Sequence, residues 1–538
     1  MQKTYRPQLT LLLTAVVVVL SVCPVLLKSQ TVTTLGQREL SAAEARGKQI
    51  YLKGTSTNGR EILAYVGDPP TEIPGGAMAC VNCHGRDGKG KAEGGIVPSN
   101  ITWPALTKPY EIRQPSGRKH PPYTDKAVEL ALTRGYDPAG TKLLNIMPRY
   151  AMAREDLSDL LAYLKRLGDE RERGVSETEI TIGVVIPGDP KLAGIGEAIK
   201  SVNTAFFEDL NAQGGIYNRK VTVKFIETGS SPADTVKNLN RSIEEQQIFA
   251  LVNSFIAGAD DGVAELMKQL QVPLIGPLTL QPQANSSANP YVFYIVGGTD
   301  AQARVLVDFA TTESADAKTG VLIVSQENTL AESVRKAIID ECAKKACGDV
   351  ESVTYKNQAF NAVTLTSDLR KANKNAVFFM GAGDQTLAFM READKLGWHP
   401  LVLVPGSLGN EVFDAPLAFK GRIFFSLPLS PSDQTTSGLN EYGRIAAKYK
   451  LPQNHIATQL MVFSGAKILV EGLKRTGKDV TVDNLVESLE TLSGFSTGLT
   501  PPVSYGPNRR VGANGGYVVG IDLENRKFLP VGTWRDID

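Results

Sequence analysis

Apolar and polar positions change their period along this chain, and the changes divide it. Behind Lys3 and Arg6, an apolar run from Leu9 to Leu27 is broken only by Thr10, Thr14, Ser21 and Pro24. It reads as an export signal. It is either cleaved as a signal peptide within residues 1–28 or kept as a membrane anchor over residues 9–27, since about 20 apolar residues span a bilayer. Both versions place the rest of the chain in the periplasm, outside the cytoplasm. Further on, Arg154 to Leu167 carries Leu157, Leu160, Leu161, Leu164 and Leu167 at helical spacing. From Glu179 the period shortens. The strands Ile180–Ile186, Lys220–Glu227, Ile248–Asn253, Gly320–Ser325 and Ala376–Met380 alternate with helical stretches at Ala233–Gln246, Thr329–Lys345 and Gln385–Gly397. Strands separated by helices of this length predict parallel sheets covered on both faces, a doubly wound α/β class with room for two lobes. The charged, apolar-poor segment from Gly168 to Thr178 separates the two regimes, and residues 169–178 read as a linker.

A chain of 538 residues exceeds one core and suggests about three units of ~150 residues. With 58 Lys and Arg against 57 Asp and Glu, nothing points to nucleic acid or a polyanion. The five cysteines, Cys23, Cys80, Cys83, Cys342 and Cys347, are too few for a disulfide-built scaffold. Val22 and Pro24 fit a lipidated Cys23 poorly. Cys342 and Cys347 favour a structural disulfide in an oxidising compartment, although their spacing demands local unwinding near Gly348. His399 and His455 lack metal-ligand partners at suitable spacing.

The candidate chemistry sits in Cys80-Val81-Asn82-Cys83-His84. C-x-x-C-H is the pattern in which two thiols attach covalently to haem vinyl groups and the adjacent imidazole ligates the iron. A zinc site is the competing reading, and it lacks a second C-x-x-C. The expected cofactor is therefore one covalently bound haem c, held by Cys80 and Cys83 with His84 on the metal.

Residues 40–168 resemble a class I cytochrome c domain. The matching pieces run in order: Ser41 and Glu44 in capping-box spacing before a first helix reaching Tyr51, the haem motif, the Gly-rich Gly85 to Gly95, Trp103-Pro104, Asn145-Ile146-Met147-Pro148, and the closing leucine helix. The resemblance implies an all-α domain and carries Met147 over as the sixth iron ligand, with Met152 and His120 as competitors. Thioether ligation suits electron transfer and closes the position that oxygen chemistry needs.

Residues 179–538 resemble the periplasmic solute-binding proteins of branched-chain amino-acid (type I) ABC transporters. The carriers are Ile182-Gly183-Val184-Val185, Asn211-Ala212-Gln213-Gly214-Gly215-Ile216, Val272-Pro273-Leu274-Ile275-Gly276-Pro277, and Tyr442 to Lys450 followed by the helix Thr458 to Gly472. The resemblance implies two α/β lobes joined by three crossovers, with a ligand in the interlobe cleft among strand-end loops. Ser254, Phe255, Thr279, Gln326, Asp384 and Ser407 are the expected liners. Ala257 and Leu280 stand where the family places hydroxyls, and Gly406 or Ser407 where it places an acid, so a non-amino-acid ligand is expected: a small organic solute such as an alcohol, an aldehyde or an aromatic acid.

Three functions follow. The first is an electron-transfer cytochrome fused to a receptor, not itself an enzyme, with a dehydrogenase or another cytochrome as redox partner. The alternatives are a substrate-binding protein serving an ABC permease with an accessory haem, and a haem-based redox sensor.

Overall fold

The structure, a computed structural model, describes residues 40–90, 95–114, 117–168, 172–283, 289–313, 320–406 and 410–537. The apolar run of residues 9–27, Cys23 and Ser407 lie outside the described residues. The described residues gather into two compact units. One holds the chain up to Cys80 with Leu106–Arg113 and Gly117–Leu167; the other holds Val81–Ala105, Gln114 and the chain from Gly168 on.

The first unit is built on a crossing of two helices. Ala42–Lys53 starts at the expected capping box: the Ser41 hydroxyl accepts from the Glu44 N–H, the Glu44 carboxylate accepts from the Ser41 N–H, and Gly54 in a left-handed conformation ends the helix. Its partner Arg154–Leu164 crosses at Gly47, where an added Cβ would stand 2.0 Å from the Asp159 carbonyl oxygen. Only glycine permits that approach. Arg46 then reaches Asp159 at 2.6 Å, and the rings of Tyr51 and Tyr163 meet at 5.5 Å. The leucine pattern runs on to Leu167, but the α-helix ends at Leu164, and Leu167 is buried from the loosened turn beyond it. The unit also holds a small antiparallel sheet, Thr71–Pro74, Leu63–Val66 and Arg149–Ala151 in that order. Segments this short carry no readable period.

The second unit contains two sheets. The first has six parallel strands in the order Lys220–Glu227, Glu179–Ile186, Ala250–Val252, Leu274–Ile275, Val292–Val296, Val511–Ala513. Helices Ala193–Ala212 and Ile456–Arg475 cover one face through Val202, Phe206, Phe463 and Leu469, and Pro232–Glu245 and Asp260–Leu270 cover the other through Leu239, Ile243, Val263 and Met267. The second sheet runs Val350–Tyr355, Val321–Gln326, Ala376–Met380, Leu401–Pro405, Ile423–Leu427 in parallel, then Gly515–Asp522 and Lys527–Asp536 antiparallel. Strands buried on both faces are nearly all apolar, which is why they are visible in the sequence. Among the described residues the chain passes between the lobes three times: at Gly297, between Leu427 and Thr436, and at Asn514. The first and last passages run side by side, the Gly297 N–H donating to the Ala513 carbonyl at 3.0 Å.

Two polar details pin the first lobe. Asn253, in a left-handed conformation at the end of its strand, donates from Nδ2 to Asn203 and to the Val462 carbonyl, and an added Cβ on Gly465 would lie 2.0 Å from its Oδ1. Asp209, almost wholly buried, takes a bidentate pair of bonds from Arg444 at 2.6 and 3.1 Å and one from Lys448 at 2.8 Å, which ties helix Ala193–Ala212 to Thr436–Tyr449. The Arg444 hydrogen bonds, aided by Lys448, hold its carboxyl far below the usual aspartate range against the opposing effect of burial. A depressed carboxylate pKa stabilises the fold above the unfolded value of about 4, and that contribution is lost as pH falls below it. Asp209→Asn is therefore expected to lower stability at pH 7 by about 1–2 kcal/mol, discounted because both cationic partners are half-exposed. The gap between wild type and variant should close on acidification below pH ~4, as read by urea unfolding across pH.

In the second lobe, Cys342 and Cys347 are joined. The unwinding this needs is supplied by Ala346, whose left-handed conformation ends helix Thr329–Lys345 one residue before Cys347.

Candidate functional site

The attachment motif occupies a single helical turn, Val81–His84, with Cys80 just before it. One turn brings the thiol of Cys83 and the imidazole of His84 onto adjacent positions, and neither Cys80 nor Cys83 is joined in a disulfide. The His84 Nδ1 lies 3.0 Å from the Ser99 carbonyl oxygen. A ring that donates Nδ1–H to a carbonyl keeps its Nε2 lone pair for a metal, the orienting contact expected of a ligating histidine. Burial lowers the His84 pKa, with the Ser99 carbonyl working in the opposite direction, which favours the neutral ring that coordination needs. The loop behind the motif is held close: Gly90 donates its N–H to the His84 carbonyl at 3.0 Å, and an added Cβ there would stand 2.3 Å from the Pro98 carbonyl oxygen. Two thiols and an oriented imidazole on one turn form a donor set that fits covalent haem.

Met147 lies, half-buried, in the loop before strand Arg149–Ala151. Arg149 organises that loop. Its guanidinium donates to the Met147 carbonyl and, at 2.9 Å, to that of Leu143. It fits because Gly135, left-handed at the end of helix Asp125–Arg134, leaves the space open; an added Cβ would stand 1.6 Å from the Arg149 Nε. One residue on, the Tyr150 hydroxyl donates to the Met78 carbonyl at 2.5 Å, so the strand after Met147 is tied to the chain just ahead of Cys80. His120 is buried, with Nδ1 2.8 Å from the Pro121 carbonyl and its ring edge-on to Tyr123.

A cavity of about 1040 Å³ lies between the lobes. The strand-end loops of the first lobe and the start of helix Asp260–Leu270 form one wall; Asp300 and the first turn of Thr329–Lys345 form the other. Of the five expected liners within the described residues, Thr279 reaches it. Ser254 is fully buried, its hydroxyl accepting from the Val185 N–H at 3.1 Å and donating to the Val252 carbonyl at 3.3 Å, while Phe255 bridges to Leu278 beside the core. Gln326 joins Tyr355, Asn357 and Gln385 in a closed polar network at the strand ends of the second lobe, and burial pushes the Tyr355 phenol up to about 12. Asp384 accepts from the Gln385 N–H at the start of its own helix. Asp260, Asp261 and Asp300 line the cavity without having been singled out. The adjacent acids after the Ser254 loop were the available signal, since acids at a helix start after a parallel strand face the crevice.

Two parallel α/β lobes around a cleft, crossed three times by the chain, are the architecture of a solute receptor. The chain belongs to the periplasmic binding protein family, whose model matches residues 179–527, and it carries a cytochrome c domain, matched over residues 45–168. A Leu/Ile/Val-binding protein homolog 3 of Brucella melitensis is 25% identical over 234 residues, which is 43% of this chain and 62% of that protein. The chain thus spans less than two thirds of that relative. Leu/Ile/Val-binding protein BraC3 of Rhizobium johnstonii is 22% identical over 62% of this chain and 89% of its own length. Among solved structures, a branched chain amino acid ABC transporter from Thermus thermophilus with bound valine superposes with a TM-score of 0.53 at 15% identity, covering 67% of this chain and 97% of that one. A fatty acid ABC transporter substrate-binding protein from Thermomonospora curvata gives 0.53 at 15% identity, covering 69% and 95%. These likenesses show the fold. A cytochrome c domain implies covalently bound haem, and both families are typically exported to the periplasm.

Proposed function

We propose that this protein is a periplasmic electron-transfer cytochrome fused to a solute receptor, with Cys80 and Cys83 carrying one haem, His84 and Met147 as axial ligands, and a small organic ligand enclosed between the lobes. The observation that carries the redox half is the Cys80-to-His84 turn with its imidazole aimed by Ser99. When bound, haem supplies a one-electron Fe(II)/Fe(III) couple. This chain's part would be to hold the iron with the imidazole of His84 and the thioether of Met147, and a carrier role in place of enzyme chemistry follows from that pair. The Met147 reading is supported by the anchoring of its loop, and by the packed surroundings of the competing His120. The receptor half rests on the cavity between the lobes. Structural relatives named for a fatty acid and for valine indicate that the fold accommodates more than one ligand chemistry. A dehydrogenase or a second cytochrome would exchange electrons with the haem, and residues 9–27 would export or anchor the chain.

A transport role, with delivery to an ABC permease, is the second reading. It draws on the relatives named Leu/Ile/Val-binding proteins. In exported protein, haem that survives denaturing electrophoresis is expected from the native chain and lost from Cys80→Ala/Cys83→Ala. A native chain without such haem would end the redox reading.

A further inference from the structure

The loop behind the attachment motif carries charges of its own. Arg86, Asp87 and Lys89 follow His84 directly, on the stretch whose Gly90 N–H donates to the His84 carbonyl and whose Gly88 carbonyl accepts from the Ile101 N–H at 2.7 Å. Val81–Ala105 belongs to the second unit, and there both cations meet acids from far along the chain. Lys89, with Asp87 at 3.3 Å, also donates to the Asp479 carboxylate, and the Arg86 guanidinium lies 3.9 Å from the carboxylate of Glu172.

Neither acid lies on a free segment. Asp479 sits in the connection between helices Ile456–Arg475 and Val482–Glu490, which Asn484 fastens: its N–H donates to the Thr481 hydroxyl at 3.1 Å and its Nδ2 to the Asp479 carbonyl at 2.7 Å. Glu172, largely buried, accepts from the Val482 N–H at 3.4 Å, at the start of the second of those helices, where backbone N–H groups favour an acid. The chain after Glu172 is laid along the first lobe. Arg173 donates to the Leu270 carbonyl at 3.0 Å, Arg219 donates to that of Ser176 at 2.7 Å, and an added Cβ on Gly174 would stand 2.3 Å from the Gln247 carbonyl oxygen. The far end of the haem loop meets the same strap, since a Cβ on the left-handed Gly168 would stand 2.9 Å from the Thr102 Cγ2. One exposed ion pair holds little, but here two pairs from separate segments act on one loop.

We infer that the first lobe, with residues 172–176 strapped to it, is the seat of the haem loop, and that Glu172 and Asp479 are positioning residues acting through Arg86 and Lys89 on the turn that presents His84. This rests on the haem reading and adds to it that residues of the solute-binding fold tune the iron. A cation beside an iron centre favours the ferrous state, and an acid paired with that cation offsets it. The seat therefore governs both the loop's order and its charge.

The test is hydrogen exchange at the Gly90 and Ile101 amides, read by mass spectrometry on the full-length holoprotein, together with the reduction potential. In Glu172→Gln/Asp479→Asn both amides are expected to exchange about tenfold faster and the potential to rise, because the loop's cations lose their counter-charges. Asp479 is more than half exposed, so Asp479→Asn alone spares the fold of the lobe. It should speed exchange about threefold in the native chain and not at all in Lys89→Gln, where its partner is gone. Native exchange in both acid variants overturns the inference, and so does equal acceleration by Asp479→Asn with and without Lys89. A potential that stays or falls while the loop loosens sinks the tuning and reduces both acids to a brace. Failure of the haem reading shows separately, as a chain without haem, in which exchange at the two amides still decides the seat.

Discussion

Under the proposed His84/Met147 ligation, the Met147→Ala protein is expected to lose the weak near-infrared sulfur-to-iron band of the oxidised state, and its reduction potential to drop by on the order of 100 mV. The physical reason is the ligand's preference. A thioether favours ferrous iron, so its loss leaves the imidazole of His84 with a water or a stronger base, and the ferric state gains. The side chain's position also protects the assignment from a trivial outcome. Met147 is half-buried in a loop and not part of either crossing helix, so its truncation should leave the Ala42–Lys53 and Arg154–Leu164 pair intact and the far-ultraviolet spectrum unchanged. A band that persists at full intensity moves the ligand to Met152, five residues on. The same variant separates the carrier from the sensor, because an iron freed of its thioether gains an open position and should bind carbon monoxide in the reduced state, as the native chain should not.

Much of this architecture is legible because its causes are local or repetitive. Parallel strands covered on both faces must be apolar throughout, so Ala376–Met380 lies where its apolar run predicts, while the edge strand Lys220–Glu227 and the helix Thr329–Lys345 follow from their own alternating and helical periods. The attachment motif is legible for a different reason: covalent chemistry dictates its spacing. What escapes the sequence depends on where donors are already committed. Strand-end position says that Ser254 belongs to a loop near the crevice, but its hydroxyl turns inward to Val185 and Val252, and nothing in the one-dimensional pattern records that. Gln326 is similarly absorbed by Gln385. Asp300 becomes conspicuous only when the second lobe is placed opposite the first. The three-stranded sheet of the first unit is too short to announce itself, and it carries the residue that holds the Met147 loop.

That residue, Arg149, supports the second large effect. Arg149→Ala is expected to weaken or abolish the near-infrared band, to lower the potential in the same direction as Met147→Ala, and to cost about 2–4 kcal/mol of stability, since hydrogen bonds from a charged donor are worth more than neutral ones and their loss leaves carbonyls unpaired. The geometry explains why so much rests on one side chain. The guanidinium fork reaches the Met147 and Leu143 carbonyls together, closing the loop that carries the thioether from inside. Lysine offers a single point charge on a flexible stem, so Arg149→Lys should recover part of the stability and little of the band. Gly135→Ala provides an independent route to the same state, because its Cβ would occupy the place of the Arg149 Nε and its backbone is left-handed. If both act through the arginine, the double variant is no worse than Arg149→Ala alone beyond the strain at residue 135, a non-additivity that a double-mutant cycle measures directly. Arg149→Ala with the band and potential of the native protein, and only stability lost, would reduce the arginine to a structural brace and leave Met147 positioned by its own backbone and Pro148.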